Sequence, residues 1–114
     1  MESNAYYPKL RRIAEEYGYD AQSRQLIEEM AELTVAINKI WRLEQTQNSE
    51  KFCLTFYNLS MWKRKNELTE EIADVEIMLS QIKYLLDCNE EVEQEKERKI
   101  LRQLERIKGE VEGE

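Results

Sequence analysis

The chain contains no histidine, which removes the commonest general base and any Ser–His or Cys–His nucleophilic pair. A metal bound here would therefore be held by oxygen ligands. The two cysteines, Cys53 and Cys88, lack metal-site spacing and are too few for a disulfide framework, so reduced thiols in a cytoplasm are expected. With three glycines and one proline in 114 residues, there is no Gly-rich phosphate loop and little of the turn chemistry an all-β fold needs. No apolar run is long enough to cross a bilayer and no signal-type segment opens the chain, so the expectation is a soluble cytoplasmic protein without a membrane partner. A net charge of −7 argues against nonspecific nucleic-acid binding. It leaves a nucleotide ligand open, because a bound cation reverses the local field.

What remains is a chain that is 36% charged and 41% hydrophobic, with its apolar residues mostly at helical spacing. One all-α domain over residues 1–114 is expected, with 110–114 a frayed tail. Pro8 suits the first turn of a short helix that Gly18 stops in the left-handed conformation. Asp20 suits the N-cap of a helix from about Ala21 to Leu43. Gln45 to Ser49 is polar and reads as a loop. Residues 50–62 are apolar without a clean period and read as a further helical segment. A helix from about Asn66 to Asp87 follows, then a closing helix capped by Asn89 and reaching about Lys108. The sum is a compact bundle of four to five helices.

Two acidic signatures carry the chemistry: Glu28-Glu29-Met30-Ala31-Glu32 and Glu71-Ile72-Ala73-Asp74. Residues three apart share a helix face, so Glu29 projects with Glu32 and Glu71 with Asp74. On a helical wheel, Leu26, Met30, Leu33, Ile37, Ile40 and Trp41 form one apolar arc, and Leu68, Ile72, Val75, Leu79, Ile82 and Leu86 another. The four acids sit at the shoulders of these arcs, where burying a charge is costly without a partner. Packed side by side, the two helices would gather four carboxylates, which repel one another unless a hard divalent cation such as Mg²⁺ lies among them. Surface acids on amphipathic helices are the plain alternative, since Glu is a good helix former.

The EExxE signature followed by ExxD on a later helix resembles the all-α nucleoside triphosphate pyrophosphohydrolases of the MazG-like superfamily, over roughly Tyr19 to Lys108. Tyr19-Asp20-Ala21-Gln22 before the first motif and Glu70 to Val75 around the second add to the likeness. The resemblance implies an oligomeric, MazG-like fold and a metal, Mg²⁺ or Mn²⁺, held by Glu29, Glu32, Glu71 and Asp74, with Glu28 a helper at most. It implies hydrolysis of a (deoxy)nucleoside triphosphate to the monophosphate and pyrophosphate. The stretch between Glu32 and Glu71 is longer than is usual in that family.

Other residues are candidates for substrate contact. Lys99, Arg102 and Arg106 recur at turn spacing on the closing helix, with Arg98 beside them; a triphosphate would relieve their mutual repulsion. Basic residues of the closing helix contact phosphates in the resembled family, which points to Lys99 and Arg102. Glu95, Glu97 and Glu105 intersperse these bases, so a solvated, salt-bridged face accounts for the same pattern. Lys63-Arg64-Lys65 are adjacent and cannot share a face. Gln22 has the donors and acceptors to read a base edge. Trp41, Tyr57, Trp62, Tyr6, Tyr7 and Tyr19 could stack on a base, although aromatics at helical spacing serve cores and interfaces more often.

The expected activity is thus a Mg²⁺-dependent pyrophosphohydrolase in which Glu29 or Glu32 takes the proton from the attacking water. The wide apolar arcs favour a homodimer or homotetramer, as does the resemblance. The competing class is a non-catalytic helical protein–protein interaction module. A di-iron carboxylate bundle is disfavoured, because its Glu-x-x-His element needs a histidine.

Overall fold

The computed structural model describes residues 6–112 as three helices without a strand among them: α1 Tyr7–Gln45, α2 Leu54–Leu85 and α3 Asn89–Glu112. Pro8 lies in the first turn of α1, where its missing N–H costs nothing. Gly18 bends the helix with φ +81° and ψ 171°. A positive φ with extended ψ is open to glycine and strained for any other residue. The chain stays helical on both sides of the bend. Ser23 Oγ donates to the Asp20 carbonyl at 3.0 Å in the turn that follows.

At the far end, the Thr46 hydroxyl donates to the Leu43 carbonyl at 2.6 Å, and a short 3₁₀ turn, Thr46–Asn48, ends the helix where the polar loop was expected. Cys53 is extended at the N-cap of α2 and offers no side-chain cap. Phe52 before it packs on Tyr57 four positions into the helix, with ring centroids 5.6 Å apart. This is a hydrophobic staple, which fixes the angle at which the chain enters α2.

The expected count of four to five helices is corrected to three: α1 continues past Gly18, which was expected to end a first short helix, and α2 runs unbroken through both segments read as separate helices. Lys63 to Asn66 hold no Gly or Pro to stop it, and Arg64 Nη1 pairs with Glu67 Oε2 at 3.1 Å across the expected gap. α2 ends in a Schellman motif: Cys88 N–H donates to the Lys83 carbonyl at 3.0 Å and Asp87 N–H to that of Tyr84 at 3.1 Å. Asp87 takes the left-handed position, φ +50°, that glycine usually fills. α3 begins at Asn89 itself and extends four residues beyond Lys108; residues 113 and 114 of the expected frayed tail lie outside the described residues.

The expected compactness is corrected as well. The radius of gyration is 19.0 Å, against about 13 Å for a packed globule of this length. α1 and α2 form a hairpin, whereas α3 adjoins only α2 and has no backbone approach to α1 among the described residues. The core is small: Leu26, Val75 and Met78, with Leu33 and Ile82 against them.

The hairpin seam is also rotated from the expected arcs. Met30, Ile37 and Trp41 on α1, and Ile72, Leu79 and Leu86 on α2, are exposed, while Gln22, Leu26, Ala36, Val75, Met78 and Gln81 are buried. The arcs are wider than one partner helix can cover. The contact settles on the acidic side of each arc, so Glu29 and Glu71 are half-buried at the helix–helix contact, while Glu32 and Asp74 stay exposed at its edge.

Candidate metal centre

α1 and α2 run antiparallel, since partners rise in number along one helix as they fall along the other. Gln22 meets Gln81, Leu26 meets Val75 and Met78, Glu29 meets Asp74, and Glu32 meets Glu71. Gln22 and Glu29 are seven residues apart, as are Asp74 and Gln81, so each pair occupies one stripe of its helix, two turns apart. The periodicity that builds the seam also stacks its polar layers.

The acidic layer is close-set. Carboxylate oxygens of Glu29, Glu71 and Asp74 all lie within 4.8 Å of one another. Glu32, exposed on the solvent side, shares a side-chain hydrogen bond with Glu71, so all four acids meet. Glu28 is exposed and points away from the seam. Gln25 Nε2 donates to Glu29 Oε1 at 2.8 Å and orients that carboxylate. The second oxygens, Glu29 Oε2 and Glu71 Oε2, are shielded from solvent and have no hydrogen-bond partner. Such orphaned acceptors are rare in folded proteins and costly.

The electrostatics follow from this crowding. Loss of water around Glu71 pushes its pKa above the ordinary carboxylate value, and the charge of Glu32, the shared hydrogen bond, and the charges of Asp74 and Glu29 push the same way. Asp74 is raised by burial first, then by the charge of Glu29 and a hydrogen bond with it. None of these influences comes from a lysine or arginine. A cluster of acids without a base relieves itself by taking up protons or a cation. The donor set fits a hard divalent ion: oxygen only, three acids within one ion's reach, a fourth alongside, and two acceptors facing inward unused.

Other candidate residues fall elsewhere. Gln22 is buried, its side-chain amide donating to the Gln81 carbonyl oxygen. Lys99 and Arg102 are exposed on α3 and lower the pKa of Glu95 on their own helix, and Arg98 pairs with Glu95 at 2.7 Å. Trp41 and Trp62 are 61% and 69% exposed. Each stands nine residues from an acid, Glu32 and Glu71 respectively, hence on the opposite side of its helix. Tyr7 packs with Tyr84 around the Arg11 guanidinium, 5.8 and 5.3 Å from the two ring centroids, fastening the first segment of α1 to the end of α2.

Two residues, Gln81 and Lys39, have no part in the sequence reading, whereas Arg64 belongs there to the Lys63-Arg64-Lys65 run. Gln81, 1% exposed, lies on the stripe of Asp74, Met78 and Leu85, and a lone amide on an apolar stripe was the available signal. Lys39 and Arg64, both half-buried, stand seven residues from Glu32 and Glu71 on the same stripes. In an antiparallel pair both fall at one level, roughly 10 Å from the acids. No family model matches the chain, and no curated protein or solved structure matches it either.

Proposed function

We propose that the acidic layer is a Mg²⁺ or Mn²⁺ site and that the chain is a MazG-like nucleoside triphosphate pyrophosphohydrolase. The observation that carries the metal site is the pair of buried, unpartnered oxygens, Glu29 Oε2 and Glu71 Oε2, in a cluster free of basic side chains. A merely solvated acidic face has no reason to turn acceptors inward. Glu29, Glu71 and Asp74 would hold the ion, with Glu32 completing the set from the open side. The bound ion would neutralise phosphate oxygens and orient a water for in-line attack at the α-phosphorus.

Glu32 is exposed and suits the proton acceptor for that water, while Glu29, held by Gln25, suits a fixed ligand. Lys39 and Arg64 are the nearest bases in register with the acids and suit the phosphates beyond the cleaved bond. Lys99 and Arg102, on a helix that leaves the hairpin, take that role only if α3 of a second copy approaches. The exposed strips Met30–Ile37–Trp41 and Ile72–Leu79–Leu86 support the homo-oligomer, for they lie beside the seam and are exposed among the described residues.

The experiment is product analysis on a panel of nucleoside triphosphates with Mg²⁺. Monophosphate plus pyrophosphate is expected; diphosphate plus orthophosphate as primary products contradicts the reaction. Lys39→Ala is expected to raise KM about tenfold, the equivalent of one charge-assisted contact. The exposed apolar strips also favour a non-catalytic interaction module, which metal-independent folding and no turnover of any nucleotide would establish.

A further inference from the structure

α3 differs from the hairpin helices in that, among the described residues, its apolar face is exposed along Ile100 to Ile107. It is 24 residues long, and Ile100, Leu101, Leu104 and Ile107 are 55–57% exposed along it. A helix of this kind is marginal alone in water and gains its stability by covering such a stripe. The spacing 100, 104, 107 is that of a coiled-coil seam, and Glu97 precedes it in the same register. Lys96 and Glu110 flank the seam on one side, and Leu101 and Lys108 on the other.

We propose that this face pairs with α3 of a second copy of the chain in antiparallel orientation, related by a two-fold axis near Arg102. The charges choose both occupant and orientation. Antiparallel pairing stacks Ile100 on Leu104 of the second copy, brings Leu101 against its counterpart, and sets Ile107 beside Glu97. It also brings Lys96 near Glu110 of the second copy and Glu97 near Lys108, each contact made twice by symmetry. Parallel pairing in register sets Glu97 against Glu97 and offers neither attraction. Lys96 already pairs with Glu93 at 3.0 Å and bridges to the second copy from that position. Lys99, Arg102 and Arg106 lie opposite the seam and stay in solvent, so the pairing leaves the basic stripe free. This pairing does not depend on the carboxylate site or its metal.

The test uses the full chain with Cys53 and Cys88 replaced by serine. Ile100→Cys and Leu104→Cys variants are mixed and oxidised gently. The mixed disulfide is expected to dominate over either self-disulfide. Predominant Leu104→Cys self-disulfide means a parallel pair, and no disulfide means another occupant or none; either overturns the proposal. Sedimentation velocity supplies the second reading. Leu104→Glu, at a site already exposed in the single chain, is expected to halve the assembled mass, with loss of helical content confined to α3 and the α1–α2 hairpin retained. Unaltered mass would overturn the proposal by placing the interface elsewhere. Glu97→Lys alone is expected to weaken association about threefold to tenfold, and Lys108→Glu added to it to restore the affinity; no restoration contradicts the charge register.

Discussion

Two polar layers cross the same helix pair two turns apart, and they meet burial in opposite ways. At Gln22–Gln81 one amide donates to the other and the layer closes on itself. At Glu29–Asp74 and Glu32–Glu71 like meets like, two oxygens have no partner, and the pKa values of Glu71 and Asp74 are driven upward. The amide layer is complete within the chain, whereas the acid layer keeps its like charges and two acceptors uncompensated. Between them lie Leu26, Val75 and Met78, so the same apolar packing supports both. The contrast sets a closed polar layer beside an open one on a single pair of helices.

The largest expected effect breaks the acid layer as a site. Glu71→Gln removes a ligand charge, and pyrophosphate release is expected to fall about a hundredfold or more in kcat, since a metal supplies several kcal/mol of transition-state stabilisation. The same substitution is expected to leave the unliganded fold intact or more stable, which melting followed by circular dichroism checks. Loss of fold in Glu71→Gln would mean the acids are structural.

Breaking the amide layer is expected to act the other way, on stability. Gln81→Ala leaves the buried Gln22 amide unpaired and a cavity beside it, at a cost of about 2–4 kcal/mol in urea unfolding. Gln22→Leu with Gln81→Leu removes both partners and is expected to cost much less than the two single changes added, as a double-mutant cycle would show.

The pH dependence sharpens the comparison. A carboxyl whose pKa is raised on folding binds its proton more tightly in the folded state than in the unfolded one. The unfolded values are 4.5 for Glu71 and 3.8 for Asp74. Below those values neither group costs stability. As pH rises from them through the raised folded values, the folded state loses stability relative to the unfolded. Metal-free protein is therefore expected to become less stable across that window, and Asp74→Asn to flatten the profile. Gln81 variants should leave its slope unchanged. The smallest effect lies outside both layers: Asp87→Gly is expected to add about 0.5–1 kcal/mol, because glycine fills the left-handed cap position without strain.

Much of the site was legible in the sequence because three-residue spacing fixes which acids share a helix turn. Glycine marked position 18 as a break in the path, although Gly18 bends α1 where a left-handed stop was expected, and the polar run marked the turn at Thr46–Asn48. The unbroken α2 was not legible, since the mixed apolar stretch 50–62 has no period to carry a helix into the segment that follows. The rotated seam was not legible either. A wide apolar arc does not say which half meets the partner, and here the half carrying the acids does. Gln22 was read as a free amide because its partner, Gln81, is 59 residues away. Lys99 and Arg102 were placed by periodicity on their own helix, which says nothing of where that helix goes.

On the proposed reading, the acid layer awaits a divalent cation while the amide layer awaits nothing. Melting temperature measured against Mg²⁺ concentration, in metal-free protein at a pH where the acids are ionised, tests it most directly. The wild type and Gln22→Leu/Gln81→Leu variants are expected to rise in Tm with Mg²⁺ by the mass-action law for a ligand that binds the folded state. Asp74→Asn is expected to start higher and not respond. A wild-type Tm indifferent to millimolar Mg²⁺ and Mn²⁺ would contradict the metal site.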